Sequence, residues 1–341
     1  MRVAMYYHNQ DVRLEEMATP AIGPGELLVK VIASGICGSD VMEWYRIKKA
    51  PRVLGHEIAG EIVQRGEGVE PYKVGDRVFV SHHVPCNTCL YCLSGHHTVC
   101  DTLRATNFDP GGFAEYIRVP RINVDRGTFI LPQEISYEEG VFIEPLACVL
   151  RGQRLANFMP GQSVLVIGSG MSGVLHLVLA KASGAGRMIA SDLNEYRLTA
   201  AKRFGADEVL LAKDVNPTTI RRLNHGRLTD LVIVCAGALS AYRQAIETVE
   251  RGGTVLCFAP LEPDLNFVFP FFPFWNDGVR LITTYGGAPK DIVYAIELIR
   301  THRLPLQEMI THRLPLAETG VGFGLVAEAK SSIKVIIEPH R

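Results

Sequence analysis

Between Val3 and about Val124 the chain shows short apolar or alternating runs, RVAMYY, ELLVKVIASGI, EIAGEIV, DRVFVS and AEYIRV, each broken by Gly or Pro. Runs of that length and residue type predict β-strands joined by turns, and hence an antiparallel, loop-rich β region. After about Pro160 the texture changes. The buried-type runs VLVIG, RMIAS, DEVLLA, DLVIVCAG, GTVLCFA and VRLITTY alternate with helical stretches such as NEYRLTAAKRFG and SAYRQAIETVER. That alternation predicts a doubly wound parallel sheet, making the chain an α/β protein with two kinds of domain.

Near Gly287 the alternation stops. A helix (DIVYAIELIRTH), the run EMITHRLPL and a last strand (SSIKVIIEP) follow, and these final residues are expected to return to the first, β-rich domain. The hexapeptide THRLPL occurs at Thr301 and again at Thr311. A period of ten is too short for a repeat unit, so it reads as a helix end leading into a strand start, recurring by accident.

Composition narrows the field without naming a function. At 341 residues two domains are expected. With 47% hydrophobic and 21% charged residues and a formal net charge of -1, nothing pulls the chain toward nucleic acid or an anionic membrane. The N-terminal stretch reaches Asp11 before any signal-peptide core, and no run of about 18 apolar residues follows, so a cytoplasmic location is expected.

In such a reducing setting eight cysteines read as thiols or metal ligands. Cys148, Cys235 and Cys257 lie in apolar runs and read as small buried hydrophobes. Four others are crowded into PCNTCLYCLSGHHTVC. Cys86, Cys89, Cys92 and Cys100 have the spacing C-x2-C-x2-C-x7-C, which lets one loop bring four thiolates to a tetrahedral ion. Four thiolates close the shell to substrate, so this zinc is structural, and His96 and His97 are solvent-side neighbours. An iron–sulfur cluster is the alternative, and its usual spacings differ.

A second set of metal-type ligands is dispersed: Cys37 in GICGSD, His56 and Glu57 in LGHEIAGEI, and Glu144 in FIEPLAC. Singly these also read as a buried thiol, a hydrogen-bonded histidine and a carboxylate at a helix start. Their company changes the reading. In VLVIGSGMSGVLHLVLA, Gly168, Gly170 and Gly173 form G-x-G-x-x-G between a strand and a helix, the context a dinucleotide site requires, with Met171 opening the helix. Asp192 ends the next strand, where a carboxylate binds the adenosine ribose and repels a 2′-phosphate, favouring NAD. Asp192 and Glu195 also spell a capping box, so an N-cap role is the competing reading. Arg197 either stacks on adenine or is solvated.

Taken together, GHEIAGEIVQRGEGV, GICGSD, the four-cysteine loop and G-x-G-x-x-G resemble the zinc-dependent medium-chain alcohol and polyol dehydrogenases. The Glu144-Pro145 pair looks like the sorbitol and threonine dehydrogenase branch. The resemblance implies a GroES-like catalytic domain of residues 1–150 and 288–341, interrupted by a Rossmann NAD-binding domain of residues 151–287. It implies two zinc ions per chain, the catalytic one held by Cys37, His56 and either Glu144 or Glu57, with Asp40 behind His56. Ser39 matches the proton-relay hydroxyl, or serves only local backbone. The expected reaction is hydride transfer from a secondary alcohol to NAD, giving a ketone, in a homo-oligomer (tetramer or dimer).

Two departures limit the substrate. Met42 stands where the family often has a relay histidine, and LITTYGGA lacks the Arg-Tyr pair of sorbitol dehydrogenases, which puts sorbitol itself in doubt. The stretch FVFPFFPFWNDG, read as a loop, carries six large aromatics and is expected to be buried at a subunit interface or in the core.

Overall fold

The computed structural model describes residues 1–341. The chain divides into two compact units, one of Met1–Ala147, Gly287–His302 and Leu306–Arg341, the other of Cys148–Gly286 with Arg303–Pro305.

In the first unit a seven-stranded sheet runs in the order Ile310–Pro315, Lys334–Glu338, Leu27–Gly35, Glu57–Arg65, Arg77–Val80 and Thr128–Ile130, with Tyr116–Val119 also paired to Leu27–Gly35. Ile310–Pro315 and Lys334–Glu338 are parallel and the other pairings antiparallel. Leu27–Gly35 is buried at every position but Lys30 and Ile32, because both of its faces are covered. A strand covered on both sides loses the two-residue alternation, which explains the near-continuous run ELLVKVIASGI. A smaller sheet of Asp11–Glu16, Arg2–His8 and Arg52–Val53 lies in the same unit. Val3 and Tyr6 from it share a core with Phe113, Phe323, Val335 and Ile337.

The second unit is built on a six-stranded, wholly parallel sheet in the order Glu208–Leu211, Met188–Asp192, Val164–Ile167, Thr229–Val234, Val249–Cys257 and Arg280–Thr283. The earliest strand lies in the middle, and the chain winds outward first on one side and then on the other. Successive residues feed opposite cores: Leu165, Ile167, Val232 and Val234 enter one, Val164, Val166, Leu231 and Ile233 the other. The loops diverge between Val164–Ile167 and Thr229–Val234, opening the crevice in which this architecture binds ligands.

Two stretches differ from the sequence reading. FVFPFFPFWNDG contains a helix, Phe271–Asp277, stopped by Gly278 in the left-handed region at φ 64°. Pro273 falls in its first turn, where a missing N–H costs nothing. Phe274 is buried and Phe267 and Phe269 pack on the core, whereas Phe271, Phe272 and Trp275 are exposed. The two THRLPL copies also diverge. The first turns after a helix and enters the short helix Leu306–Met309; the second lies in the strand Ile310–Pro315. No helix is long and apolar enough to cross a membrane.

Candidate active site

Sheet register brings the dispersed ligands together. Cys37 follows the end of strand Leu27–Gly35, His56 immediately precedes strand Glu57–Arg65, and the antiparallel pairing sets Gly35 opposite Glu57. The ligand atoms of Cys37, His56 and Glu57 all lie within 4.8 Å of one another. Glu144, in the first turn of helix Ile143–Leu155, is not one of the three.

Asp40 is fully buried and braces this group. Its Oδ1 lies 3.3 Å from His56 Nδ1, and its Oδ2 accepts the Cys37 backbone N–H at 3.1 Å. With Nδ1 so engaged, Nε2 is the imidazole nitrogen left for a metal. Burial disfavours the charged imidazole, but the Asp40 carboxylate and the Cys37 sulfur outweigh it and hold His56 well above its usual range. Ser39 donates to Cys37 Sγ through both its N–H and its hydroxyl, each at 3.4 Å.

Four side chains gave no signal in the sequence. Lys334, on the strand neighbouring Leu27–Gly35, pairs with Glu57 Oε2, and both side chains are completely buried. Gly35 makes room for that pair, since a Cβ there would sit 2.3 Å from Glu57 Oε2 and 2.6 Å from Lys334 Nζ. Arg46 donates to Ser39 and Asp40. His82 lies 4.9 Å from His56 and 3.9 Å from His83, ring centre to ring centre. Burial first, then the neighbouring cations, holds His83 at about 4 and His82 well below its usual range.

The residues suit a metal on structural grounds. Glu57 Oε1 is buried and makes no hydrogen bond, as befits an oxygen reserved for a cation. In the cysteine loop the Sγ separations are 3.6 Å for Cys89–Cys92, 3.6 Å for Cys100–Cys86 and 3.9 Å for Cys86–Cys92. A tetrahedron with zinc–sulfur arms of about 2.3 Å has edges of about 3.8 Å. The Cys89 N–H approaches Cys86 Sγ at 3.2 Å, and bonds from Thr88 and Cys89 pull the Cys86 thiol down to about 5. His96 is exposed, and neither it nor His97 belongs to the cysteine cluster.

In the second unit, Gly168 turns at φ 94°, and a Cβ on Gly173 would lie 1.9 Å from the Gly168 carbonyl oxygen. Only glycine permits that turn and that approach of helix to strand. Asp192 Oδ2 accepts the Ser169 N–H at 2.7 Å and Oδ1 the Asn194 N–H at 3.0 Å. The cap of the following helix is Asn194, whose side chain accepts from Tyr196 N, so Asp192 is not its N-cap. Arg197 lies across Gly170, its guanidinium 3.4 Å from where a Cβ would be. Met171 is the first residue of the helix.

Residues 23–126 match the alcohol dehydrogenase GroES-like domain and residues 173–301 the zinc-binding dehydrogenase family. Sorbitol dehydrogenase of Bacillus subtilis is 30% identical over all of this chain and 98% of its own. The chain belongs to the zinc-dependent medium-chain alcohol and polyol dehydrogenases. This dehydrogenase is also 38% identical to L-threonine 3-dehydrogenase of Pyrococcus abyssi, over 71% of this chain and 70% of that one. A structure described as a zinc-binding dehydrogenase, from Sinorhizobium meliloti 1021 and bound to NADP, matches it with a TM-score of 0.88 at 28% identity over 99% of both chains.

Proposed function

We propose that this dehydrogenase oxidises a secondary alcohol of a polyol, sugar alcohol, cyclitol or hydroxy-amino acid to the ketone, reversibly, with NAD as hydride acceptor and two zinc ions per chain. The observation that carries the reading is the convergence of Cys37, His56 and Glu57, braced by Asp40, in a unit that separately gathers four cysteines. Such a three-ligand set is the open type found in catalytic zinc sites, and the four-sulfur set is the closed, structural type. A zinc-independent reductase of the same superfamily has no use for the first set.

When bound, zinc polarises the alcohol and lowers the cost of losing its proton. Cys37, His56 and Glu57 or Glu144 hold it, Asp40 fixes the His56 ring, and Ser39 lies within hydrogen-bond reach of Cys37 to receive the alcohol proton. Gly168, Gly170, Met171 and Gly173 offer the pyrophosphate a backbone cradle at a helix N-terminus. Asp192 favours NAD by charge, with Arg197 beside it. The names of the sorbitol and threonine dehydrogenase relatives support the substrate class. The exposed Phe271, Phe272 and Trp275 support a homo-oligomer.

The test is NAD reduction with a panel of polyols, cyclitols and L-threonine, run beside Cys37→Ser and His56→Ala. Each variant is expected to keep the fold, lose one zinc and lose turnover. Wild-type rates in either overturn the proposal.

A further inference from the structure

Ser39 is held from two sides. Its hydroxyl and its backbone N–H both face Cys37 Sγ at 3.4 Å. Opposite, Arg46 donates Nη2 to Ser39 Oγ at 2.9 Å and Nε to the Ser39 carbonyl oxygen at 2.9 Å, and the same Nη2 reaches Asp40 Oδ1 at 3.3 Å. The Arg46 side chain is itself largely buried.

A hydroxyl has one hydrogen and two lone pairs, whereas a guanidinium stays charged and accepts nothing. Arg46 therefore occupies one lone pair of Ser39 Oγ and obliges the hydrogen to point elsewhere. What remains, one lone pair and one hydrogen on an oxygen that cannot swing away, is what a relay requires. The lone pair takes the alcohol hydrogen while the hydroxyl hydrogen, which rests on Cys37 Sγ, turns about the fixed oxygen and passes to water. A fixed cation beside the path also favours negative charge on the oxygens it faces.

We infer that Arg46 is a positioning residue for alcohol oxidation, holding Ser39 in its proton-passing orientation from the helical turn where Met42 replaces the expected histidine. The inference rests on the dehydrogenase reading above. Arg46 takes no proton and no electrons: the hydride goes to NAD, the alcohol proton leaves through Ser39 to water, and the ketone is released. A purely structural Arg46 would act instead through Asp40 and the metal ligands.

The experiment is a double-mutant cycle of Arg46→Met and Ser39→Ala in the full-length zinc enzyme, with the best alcohol of the panel. Arg46→Met is expected to lower kcat about 10- to 100-fold with KM changed less than about threefold and both zinc ions retained. In the Ser39→Ala background it costs little more, because both changes remove one arrangement. Arg46→Lys, which keeps the charge, restores part of the rate.

A readout independent of turnover is the thiolate-to-metal absorption band of the cobalt(II)-substituted protein, taken as the part missing from Cys37→Ser. Ser39→Ala moves that band by removing the hydroxyl from Cys37 Sγ, and Arg46→Met moves it in the same sense. Additive kinetic losses, zinc loss in Arg46→Met, or a band that responds to Ser39→Ala but not to Arg46→Met would sink the inference alone. A protein with no Cys37-dependent band sinks the dehydrogenase reading and this inference together.

Discussion

Lys334 Nζ and the Glu57 carboxylate form an ion pair that solvent does not reach on either side, within the group that includes Cys37 and His56. Removing one partner of such a pair strands the other's charge, which costs about 3–5 kcal/mol. In the zinc-free protein, Lys334→Met is expected to lose that much in urea unfolding. Adding Glu57→Gln should recover most of the stability while leaving metal analysis below two zinc ions per chain. Gly35→Ala should be destabilising as well, because its methyl group meets both charged ends.

The cysteine loop should be separable from the group of Cys37, His56 and Glu57. Cys92→Ser removes a buried sulfur from the four-sulfur cluster and is expected to release one zinc, leaving Cys37, His56 and Glu57 loaded. Metal analysis combined with limited proteolysis reads this out, with new cleavage between Pro85 and Cys100. Loss of both ions would mean that the two sites are coupled.

Asp192 should govern the choice of cofactor. Asp192→Asn keeps the side-chain shape but drops the charge, and its single amide oxygen can accept only one of the Ser169 and Asn194 N–H groups that the two carboxylate oxygens now take. A hydrogen bond to a charged group is worth about 1.5–3 kcal/mol. The ratio of kcat/KM for NAD over NADP is therefore expected to fall by roughly 10- to 100-fold. An unchanged ratio places the discrimination elsewhere.

Phe271 and Phe272 present large apolar rings to solvent at 71% and 69% exposure. Phe271→Asp with Phe272→Asp is expected to reduce the particle mass in light scattering, with NADH binding retained. An oligomer of unaltered mass rejects this face as the contact between copies.

His176 carries a pH signature in the second unit. Burial holds it at about 3 against an ordinary 6.5, and the Gln153 amide donates to its Nδ1 at 3.2 Å. Its folded value is depressed, so below about pH 6.5 the unfolded chain binds the extra proton. Stability is then lost progressively from about pH 6.5 toward pH 3, by about 1.4 kcal/mol per unit. The slope of unfolding free energy between pH 7 and pH 5 should be shallower in His176→Gln.

Much was legible because it is local. The parallel strands announce themselves as apolar runs of strand length, since both faces of Val164–Ile167 and Thr229–Val234 are covered. The four cysteines are sequence neighbours, so their spacing alone sets the reach of their sulfurs. Gly168 and Gly173 are obligatory for the turn they build. The aromatic stretch around Phe271 reads as a loop in the sequence because two prolines mask a helix that tolerates one of them in its first turn.

Residue identity and short-range spacing determined which chemistry this chain carries: thiolates, an imidazole, carboxylates and a glycine turn. Only the tertiary structure decided which groups meet. THRLPL turns into a short helix at Thr301 and extends as a strand at Thr311, because the second copy lies beside Lys334–Glu338, whose backbone takes up its hydrogen bonds. Lys334 is 277 residues from Glu57 in the chain, and sheet register alone makes them partners. Side-chain interactions act over a few ångströms, and proximity between residues distant in sequence is created by folding.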